Sequence, residues 1–485
     1  MFFQQFYLNC LAHASYVLGS GGEAAVVDPQ RDVEVYLDEA AKHGLRITRI
    51  FETHMHADFV SGHKELAKRT GAQIYAGARS GAKLPHAVMR DGDEIRFGNC
   101  MLKVMETPGH SIDSLCFAVH DFDQPPGAPQ PWAVLTGDTL FIGDVGRPDL
   151  SPVYSPQQLA AMLYDSLHNK LLALPDSTLV YPAHGAGSLC GRVIGEGRHS
   201  TIGQERRFNY ALQPRGKDEF VDLLTSEFAD KPEYFLRDVE INRAGAEPLT
   251  DLPPLPALSA EEVLRRQQGG ALVLDTRNAA EFGGGHVPGA LHIGLSGQFA
   301  SWAGTLVGLD LPMILVAADP EKLSEARMRL ARVGMENVVG YLASGEGGAF
   351  KFGMLAWQNA GLPTRDVPQI SVMDLHAEMD EHPAGIQVLD VRRPGEWSAG
   401  HLAHAQNIPL DKLRTHLGTL DPAKPIAVHC KSGYRSSIAT SLLLRAGFKQ
   451  VFNVTGGFDA WEAQKLPAVS EATASAGSCG SRPTA

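Results

Sequence analysis

Cysteine is scarce. There are six in 485 residues, at positions 10, 100, 116, 190, 430 and 479, with no regular spacing and no CxxC pair. That fits free thiols in a reducing cytoplasm better than a disulfide framework. Long apolar runs are missing as well: nothing approaches the roughly 18 residues a membrane-spanning helix needs, so no membrane span is expected. The N-terminus MFFQQFYLNCLAHASYVLG lacks a basic n-region and is broken by Gln and Asn, so it reads as early strands and not as a signal peptide. Basic residues are in deficit, with 43 Lys and Arg against 55 Asp and Glu. The net charge of −12 argues against a general nucleic-acid binder, which needs a basic face. What remains is ordinary: 44% hydrophobic and 20% charged residues, in a chain long enough for roughly three domains.

The chain is organised around 51–63, FETHMHADFVSGH, which places His54, His56 and Asp58 two residues apart. The apolar stretch Ile47–Phe51 precedes it as a strand, and Lys64–Arg69 follows as a helix body. The histidines therefore sit on a loop at the carboxyl end of a strand, where α/β sheets place their chemistry. Imidazoles and a carboxylate crowded onto one loop signal a metal site; the plainer alternative is a polar loop. Strands are expected at Tyr16–Leu18, Ala24–Val27 and Gln73–Ala76, and a helix over Val33–His43 ending at Gly44. Three more polar clusters follow strands: Thr107–Ser111 with His110, Thr136–Thr139 with Asp138, and Tyr181–Gly185 with His184. Four such clusters in about 1–247 point to one centre in a layered α/β domain.

These clusters, HxHxD, PGH, GD and PAHG, resemble the metallo-β-lactamase fold, an αββα sandwich with metal at one sheet edge. Hydrolases of that fold such as glyoxalase II carry HxHxDH and hold two metals; here Phe59 stands where the last histidine would be, and a phenyl ring cannot ligate. A one-metal site is therefore expected, as in the persulfide dioxygenases. That resemblance implies a single Fe(II) held by His54, His110 and Asp138, and oxidation of a thiol persulfide by O₂ to sulfite. His56, Asp58 and His184 would then orient ligands or hydrogen-bond bound oxygen. Arg147, Arg192 and Arg198 are candidates for anionic substrate groups, with solvated arginine as the alternative. Cys190 is read either as facing the pocket or as a buried structural thiol. The main rival is a binuclear zinc thioester hydrolase with His56, Asp58 and His184 helping to hold the second metal.

Pro-rich linkers at 246–259 and 361–369 each precede a unit of similar sequence. The two units repeat one pattern: Leu272–Leu295 lies on Gln387–Leu410 without a gap, matching Asp275 to Asp390, Arg277 to Arg392 and Glu281 to Glu396. Each copy, 258–363 and 368–467, should be a small doubly wound parallel sheet. In the second, the strand Ile426–His429 runs into Cys430-Lys431-Ser432-Gly433-Tyr434-Arg435-Ser436, with a helix expected over Ser437–Arg445. A thiol at the mouth of a helix, with loop amides and Arg435 turned toward it, favours the thiolate.

LDVRRPGEW, GHLAHAQNIP, HCKSGYRS and NVTGGFDAW resemble a rhodanese domain, which implies that Cys430 carries a sulfane sulfur as a persulfide. Four residues separate Cys430 from Arg435, one fewer than a cysteine phosphatase needs, so sulfur transfer is favoured. Asp390 and Arg392 are expected to brace the catalytic loop. In the first copy Ala317 falls where Cys430 stands, and the loop Ala318–Leu323 carries Asp319, Pro320 and Glu321, so this copy should be inactive. The tail 470–485 is expected to be disordered. The whole reads as a cytoplasmic persulfide dioxygenase–rhodanese fusion. Its expected partners are O₂, sulfite or thiosulfate, and a persulfide of glutathione, coenzyme A or bacillithiol type, with no nucleic acid and no membrane; a homo-oligomer is expected. A sulfur carrier or persulfide sensor without catalysis is the third reading.

Overall fold

A computed structural model describes residues 1–125, 131–213, 215–226, 228, 231–308, 310–345, 350–382 and 385–470. All but the first residue of the expected disordered tail lie outside the described residues. The chain forms two compact units: Met1–Pro253 with Met328–Met335, and Pro254–Arg327 with Glu336–Ala485.

In the first unit, one six-stranded sheet runs in the order Phe2–Leu8, His13–Ser20, Glu23–Val27, Arg46–Phe51, Gln73–Gly77, Ala87–Met89. A second runs Ser200–Thr201, Leu179–Pro182, Ala133–Gly137, Leu115–Asp121, Cys100–Glu106, Glu94–Phe97. Successive side chains of a strand point to opposite faces, and this sorts them into layers. Tyr16, Leu18, Val27 and Phe51 join Leu102, Phe117 and Leu135 in the core between the sheets. The alternate residues Val17, Val26 and Ile50 pack under the helices Glu34–Lys42 and His63–Thr70 through Tyr36, Ala40 and Leu66. On the far face, Cys116 and Val134 meet Ala160, Leu163 and Leu167 of the helix Pro156–Asn169. That helix starts on a Ser155–Gln158 capping box with Pro156 in its first turn. The result is the expected αββα sandwich. Each fully buried ring such as Phe51 or Phe117 contributes about 1.5–3 kcal/mol. The four polar clusters all emerge at strand ends on this sandwich.

The second unit holds two parallel sheets of the same order. The first is Ala257–Leu258, Val338–Ser344, Met313–Val316, Leu272–Asp275, Leu291–His292, with Lys351–Phe352 added antiparallel to Val338–Ser344. The other is Gln369–Ile370, Val451–Val454, Ile426–His429, Gln387–Asp390, Gln406–Asn407. Registers coincide: Asp275 pairs with Val316 as Asp390 pairs with His429. Ala317 and Cys430 are thus the same structural position, one residue beyond the strand.

Helix starts differ from the sequence reading. The helix after Cys430 is Tyr434–Arg445, three residues longer than expected, because Gly433 takes the left-handed conformation (φ 103°) that lets the chain turn into it. In the first copy the helix Pro320–Ala331 begins inside the segment read as a loop, Pro320 being suited to a first turn. The five described cysteines are free, and no described helix is long and apolar enough to cross a membrane.

Candidate metal centre and sulfur site

Three loops converge in the first unit. His54 Nε2 lies 3.9 Å and His110 Nε2 3.5 Å from Asp138 Oδ2, and the three donor atoms lie within 4.8 Å of one another. All three residues are 3% exposed or less. A metal about 2.1 Å from each donor needs neighbouring donors about 3 Å apart, so each histidine–aspartate edge has to close by under 1 Å. The far side of every ligand is already pinned. His54 Nδ1 donates to Thr53 Oγ1 at 3.1 Å, and that hydroxyl donates to Asp28 at 2.8 Å. His110 Nδ1 donates to the Arg147 carbonyl at 3.0 Å. Both rings therefore carry their proton on Nδ1 and offer the Nε2 lone pair inward. Asp138 Oδ1 accepts from His184 Nδ1 at 2.8 Å, while its Oδ2 is buried and accepts no hydrogen bond. An orphaned carboxylate oxygen between two imidazole lone pairs fits a divalent cation, and two histidines with one carboxylate suit Fe(II).

Electrostatics agree with the geometry. Burial, reinforced by the adjacent His56, holds His54 well below the ordinary histidine range, and burial also lowers His110; both are neutral, as ligands must be. Burial opposes ionisation of Asp138, but His184 outweighs it and keeps the carboxyl well below its usual range. Conversely, burial disfavours a charge on His184, yet Asp138 on one side and Asp58, 2.8 Å from Nε2, on the other raise it well above its ordinary value. His56 is buried too, and Asp28 at 3.0 Å and Glu52 at 3.5 Å lift it to about 9. Its ring lies 4.1 Å from that of His54, but its Nε2 turns to Asp28 and Glu52 instead of to the triad. Cys190 closes on Asp58 and His184; burial first, then the Asp58 and Asp138 carboxylates, push its thiol well up, so it is a neutral S–H.

Two glycine approaches set the loops' spacing. A Cβ on Gly146 would run into the Asp138 carbonyl and lie 2.8 Å from His110. Gly137, with φ 52°, lies so close to Thr53 that a Cβ there would meet its Oγ1 at 2.7 Å. Neither contact tolerates a side chain.

The candidate substrate arginines are otherwise engaged. Arg147 forms a bidentate pair with Asp149 at 2.6 and 2.8 Å and donates to the Leu189 carbonyl. It is a loop brace whose own carbonyl orients His110. Arg192 reaches the Leu224 carbonyl at 3.0 Å, and Arg198 lies over the Tyr7 ring. None of the three offers an uncommitted guanidinium.

In the second unit Cys430 is 1% exposed and accepts a hydrogen bond from the Gly433 amide at 3.1 Å. Arg435 sits in the first helical turn, but its guanidinium turns to Glu396 in a bidentate pair at 2.6 and 2.7 Å instead of facing the sulfur directly. Asp390 and Arg392 form a buried pair that also holds the Gly400 carbonyl; it braces the strand end and does not contact sulfur. The neighbouring copy supports the loop: Tyr434 donates to the Gly294 carbonyl at 2.8 Å, and His292 Nδ1 meets Ser437 Oγ at 2.9 Å.

Comparison with known proteins finds the same folds in the two units. The metallo-β-lactamase superfamily model matches residues 8–121, and the rhodanese-like domain model matches 259–347 and 371–464. The mitochondrial persulfide dioxygenase ETHE1 of Bos taurus is 31% identical over 227 residues, 45% of this chain and 78% of the relative. The chain belongs to the persulfide dioxygenase family. A crystal structure of a metallo-β-lactamase from Staphylococcus aureus subsp. aureus COL is similar over 70% of this chain and 98% of that one, at 32% identity and TM-score 0.63. A hydroxyacylglutathione hydrolase from a Polaromonas strain is 34% identical over 34% of this chain and 57% of that relative.

This persulfide dioxygenase-family chain departs from the hydrolase loop pattern at Phe59. The ring is buried, 4.0 Å from His13 and 4.4 Å from His56 between centroids, and fills the space beside Asp58. His13 carries no motif that singles it out in the sequence; it is 1% exposed, and burial keeps it well below the histidine range. Asp28, Glu52 and Asn242 also escape a motif reading. Asn242 Nδ2 donates to the His56 and Phe59 carbonyls at 2.8 Å, and its Oδ1 accepts from the Ser61 amide. Asp28 has a local signal, an acid beside proline at a strand end opposite the histidine loop. Asn242 has none.

Proposed function

We propose that the first unit oxidises a low-molecular-weight thiol persulfide, R–S–SH, to sulfite and R–SH with O₂ and water, using one Fe(II) at His54, His110 and Asp138. We further propose that Cys430 moves a sulfane sulfur between persulfide and sulfite or thiosulfate. The observation that carries the first claim is the triad with its orphaned Asp138 Oδ2, combined with Phe59 where a second metal's ligand would stand. When bound, Fe(II) supplies the O₂ chemistry that side chains lack.

The chain's residues do the rest. Thr53 and the Arg147 carbonyl hold both imidazoles in the ligating tautomer. His184 keeps a proton between Asp138 and Asp58 and so aims Asp138 Oδ2 inward. Phe141, Cys190 and Ile194 form an apolar wall beside this pair and exclude water. At the other site, the Cys430 thiolate attacks the outer sulfur of R–S–SH and R–S⁻ leaves; sulfite then takes that sulfur as thiosulfate and returns the thiolate. The Gly433 amide stabilises the sulfur anion through both steps. The carrier thiol would be of glutathione, coenzyme A or bacillithiol type, and the setting a reducing cytoplasm.

A binuclear zinc thioester hydrolase is the second reading, because Asp58 Oδ1 is buried without a hydrogen-bond partner and Asp58, His184 and Cys190 bring their donor atoms within 4.8 Å of one another. Iron content measured beside O₂ uptake and sulfite release on a persulfide separates the two. One iron per chain with uptake supports the oxygenase; two zincs and no uptake ends it.

A further inference from the structure

The copy that lost its cysteine has kept its fold and one wall of a cavity. Within the second unit, a cavity of about 420 Å³ is lined by Leu272, Val307 and Leu311 of the first copy and by Arg414, Leu442 and Arg445 of the second, among others. That volume is in the range of small-molecule sites. None of its lining residues is acidic. Among the described residues Arg414 has no hydrogen-bond or ion-pair partner, and Arg445 donates only to the Gly289 carbonyl. Two guanidiniums thus share one hollow with no carboxylate to balance them. Partial burial lowers both from the usual arginine range, and for Arg445 the nearby Arg414 charge adds to it. Both arginines are exposed, so an anion from solvent can reach the two guanidiniums together.

We propose that this cavity between the two rhodanese-like copies is a binding site for an organic anion, a compact apolar body bearing a carboxylate, sulfonate or phosphate group. The leucines and Val307 would take the apolar body, and the Arg414 and Arg445 forks would take the anionic oxygens. The carbonyl end of the helix Tyr434–Arg445 also lies here, which disfavours an anion, but the two full charges exceed that partial one. The site is remote from Cys430: that residue lies beyond the other end of the same twelve-residue helix, roughly 16 Å along its axis. The assignment stands independently of the persulfide chemistry, and it gives the cysteine-less copy a task that needs no nucleophile.

The test uses the full chain and three probes: 4-toluenesulfonate, its neutral analogue methyl 4-tolyl sulfone, and inorganic sulfate, each titrated by calorimetry. Expected is one saturable toluenesulfonate site per chain, weaker sulfate binding and no sulfone binding. R414Q should weaken toluenesulfonate at least tenfold while R192Q, a control in the other unit, leaves it unchanged. Circular dichroism and retained sulfur transfer at Cys430 would show that R414Q is folded. Absence of toluenesulfonate binding, equal binding of the sulfone, or undiminished binding to folded R414Q would each overturn the proposal. Should R414Q fail to fold, the same titrations on R414K, which keeps the charge but loses the fork, decide by a reduced or an unchanged affinity.

Discussion

Replacing Thr53 with valine isolates the orientation of one ligand without touching any ligand. Thr53 is 1% exposed, and its hydroxyl is the acceptor for His54 Nδ1 and a donor to Asp28. Valine keeps the volume and removes both links. Asp28 loses least: it still accepts the Thr53 amide at 2.7 Å and lies 3.0 Å from His56. His54 Nδ1 is left buried without an acceptor, a cost of about 1–3 kcal/mol. For a unit of this size that is a fall in Tm of roughly 2–12 °C without metal. The ring is then free to take the other tautomer, and loss of such an outer partner costs about 10–100-fold in metal affinity. Iron competition against a graded chelator gives the affinity, and calorimetric scans with and without iron give the stability. A Thr53→Val protein that binds iron as tightly as wild type would refute the argument that the Thr53–Asp28 chain sets the His54 tautomer.

Separate sites should fail separately. His54→Ala should abolish O₂ uptake and sulfite release while leaving thiosulfate sulfurtransfer, and Cys430→Ser should do the reverse. Phe59→His should raise bound metal from one to two per chain by elemental analysis, since Asp58 and His184 already stand beside that ring. Ala317→Cys should not create a second sulfur-transfer site, as read by persulfide labelling in a Cys430→Ser background. Burial lowers the His292 pKa, so the unfolded chain binds this proton more readily than the folded one. The His292 contribution to stability should therefore be constant above about pH 6.5 and be lost as pH falls below it; His292→Gln should flatten that acid limb in urea melts of the second unit.

Much of this is legible in the sequence, for a physical reason. The candidate ligands sit on loops directly after strands, so local motifs and a period-two apolar pattern locate His54, His110 and Asp138 together. The repeat places Ala317 opposite Cys430, and the sheet registers agree. Pairing is where the sequence misleads. It offers Arg147 as a free cation although Asp149 stands two residues on, and the structure closes that pair. It turns Arg435 toward the thiol, whereas Glu396, 39 residues earlier, takes both its nitrogens. Asn242, which pins the histidine loop, lies more than 180 residues from its partners, and no local pattern reports such a contact.

The duplicated copy acts as an internal control on what catalysis requires. Arg277 and Asp275 make the same bonds as Arg392 and Asp390: Nε to Oδ1 at 3.0 Å in both, and a guanidinium nitrogen on the Gly285 or Gly400 carbonyl at 2.8 or 2.7 Å. Because the pair persists where there is no thiol, it belongs to the fold and not to the chemistry of sulfur. The difference lies at the helix entrance. In the second copy the Gly433 amide points at Cys430 Sγ. In the first, Asp319 Oδ1 accepts the Lys322 amide at 2.8 Å, so the protein's own carboxylate occupies the end that would greet an anion. Pro320 removes one further donor. A cysteine restored at 317 would face a carboxylate where its counterpart faces open amides. The first copy is therefore expected to stay silent even with a thiol restored, because its own carboxylate fills the anion cradle.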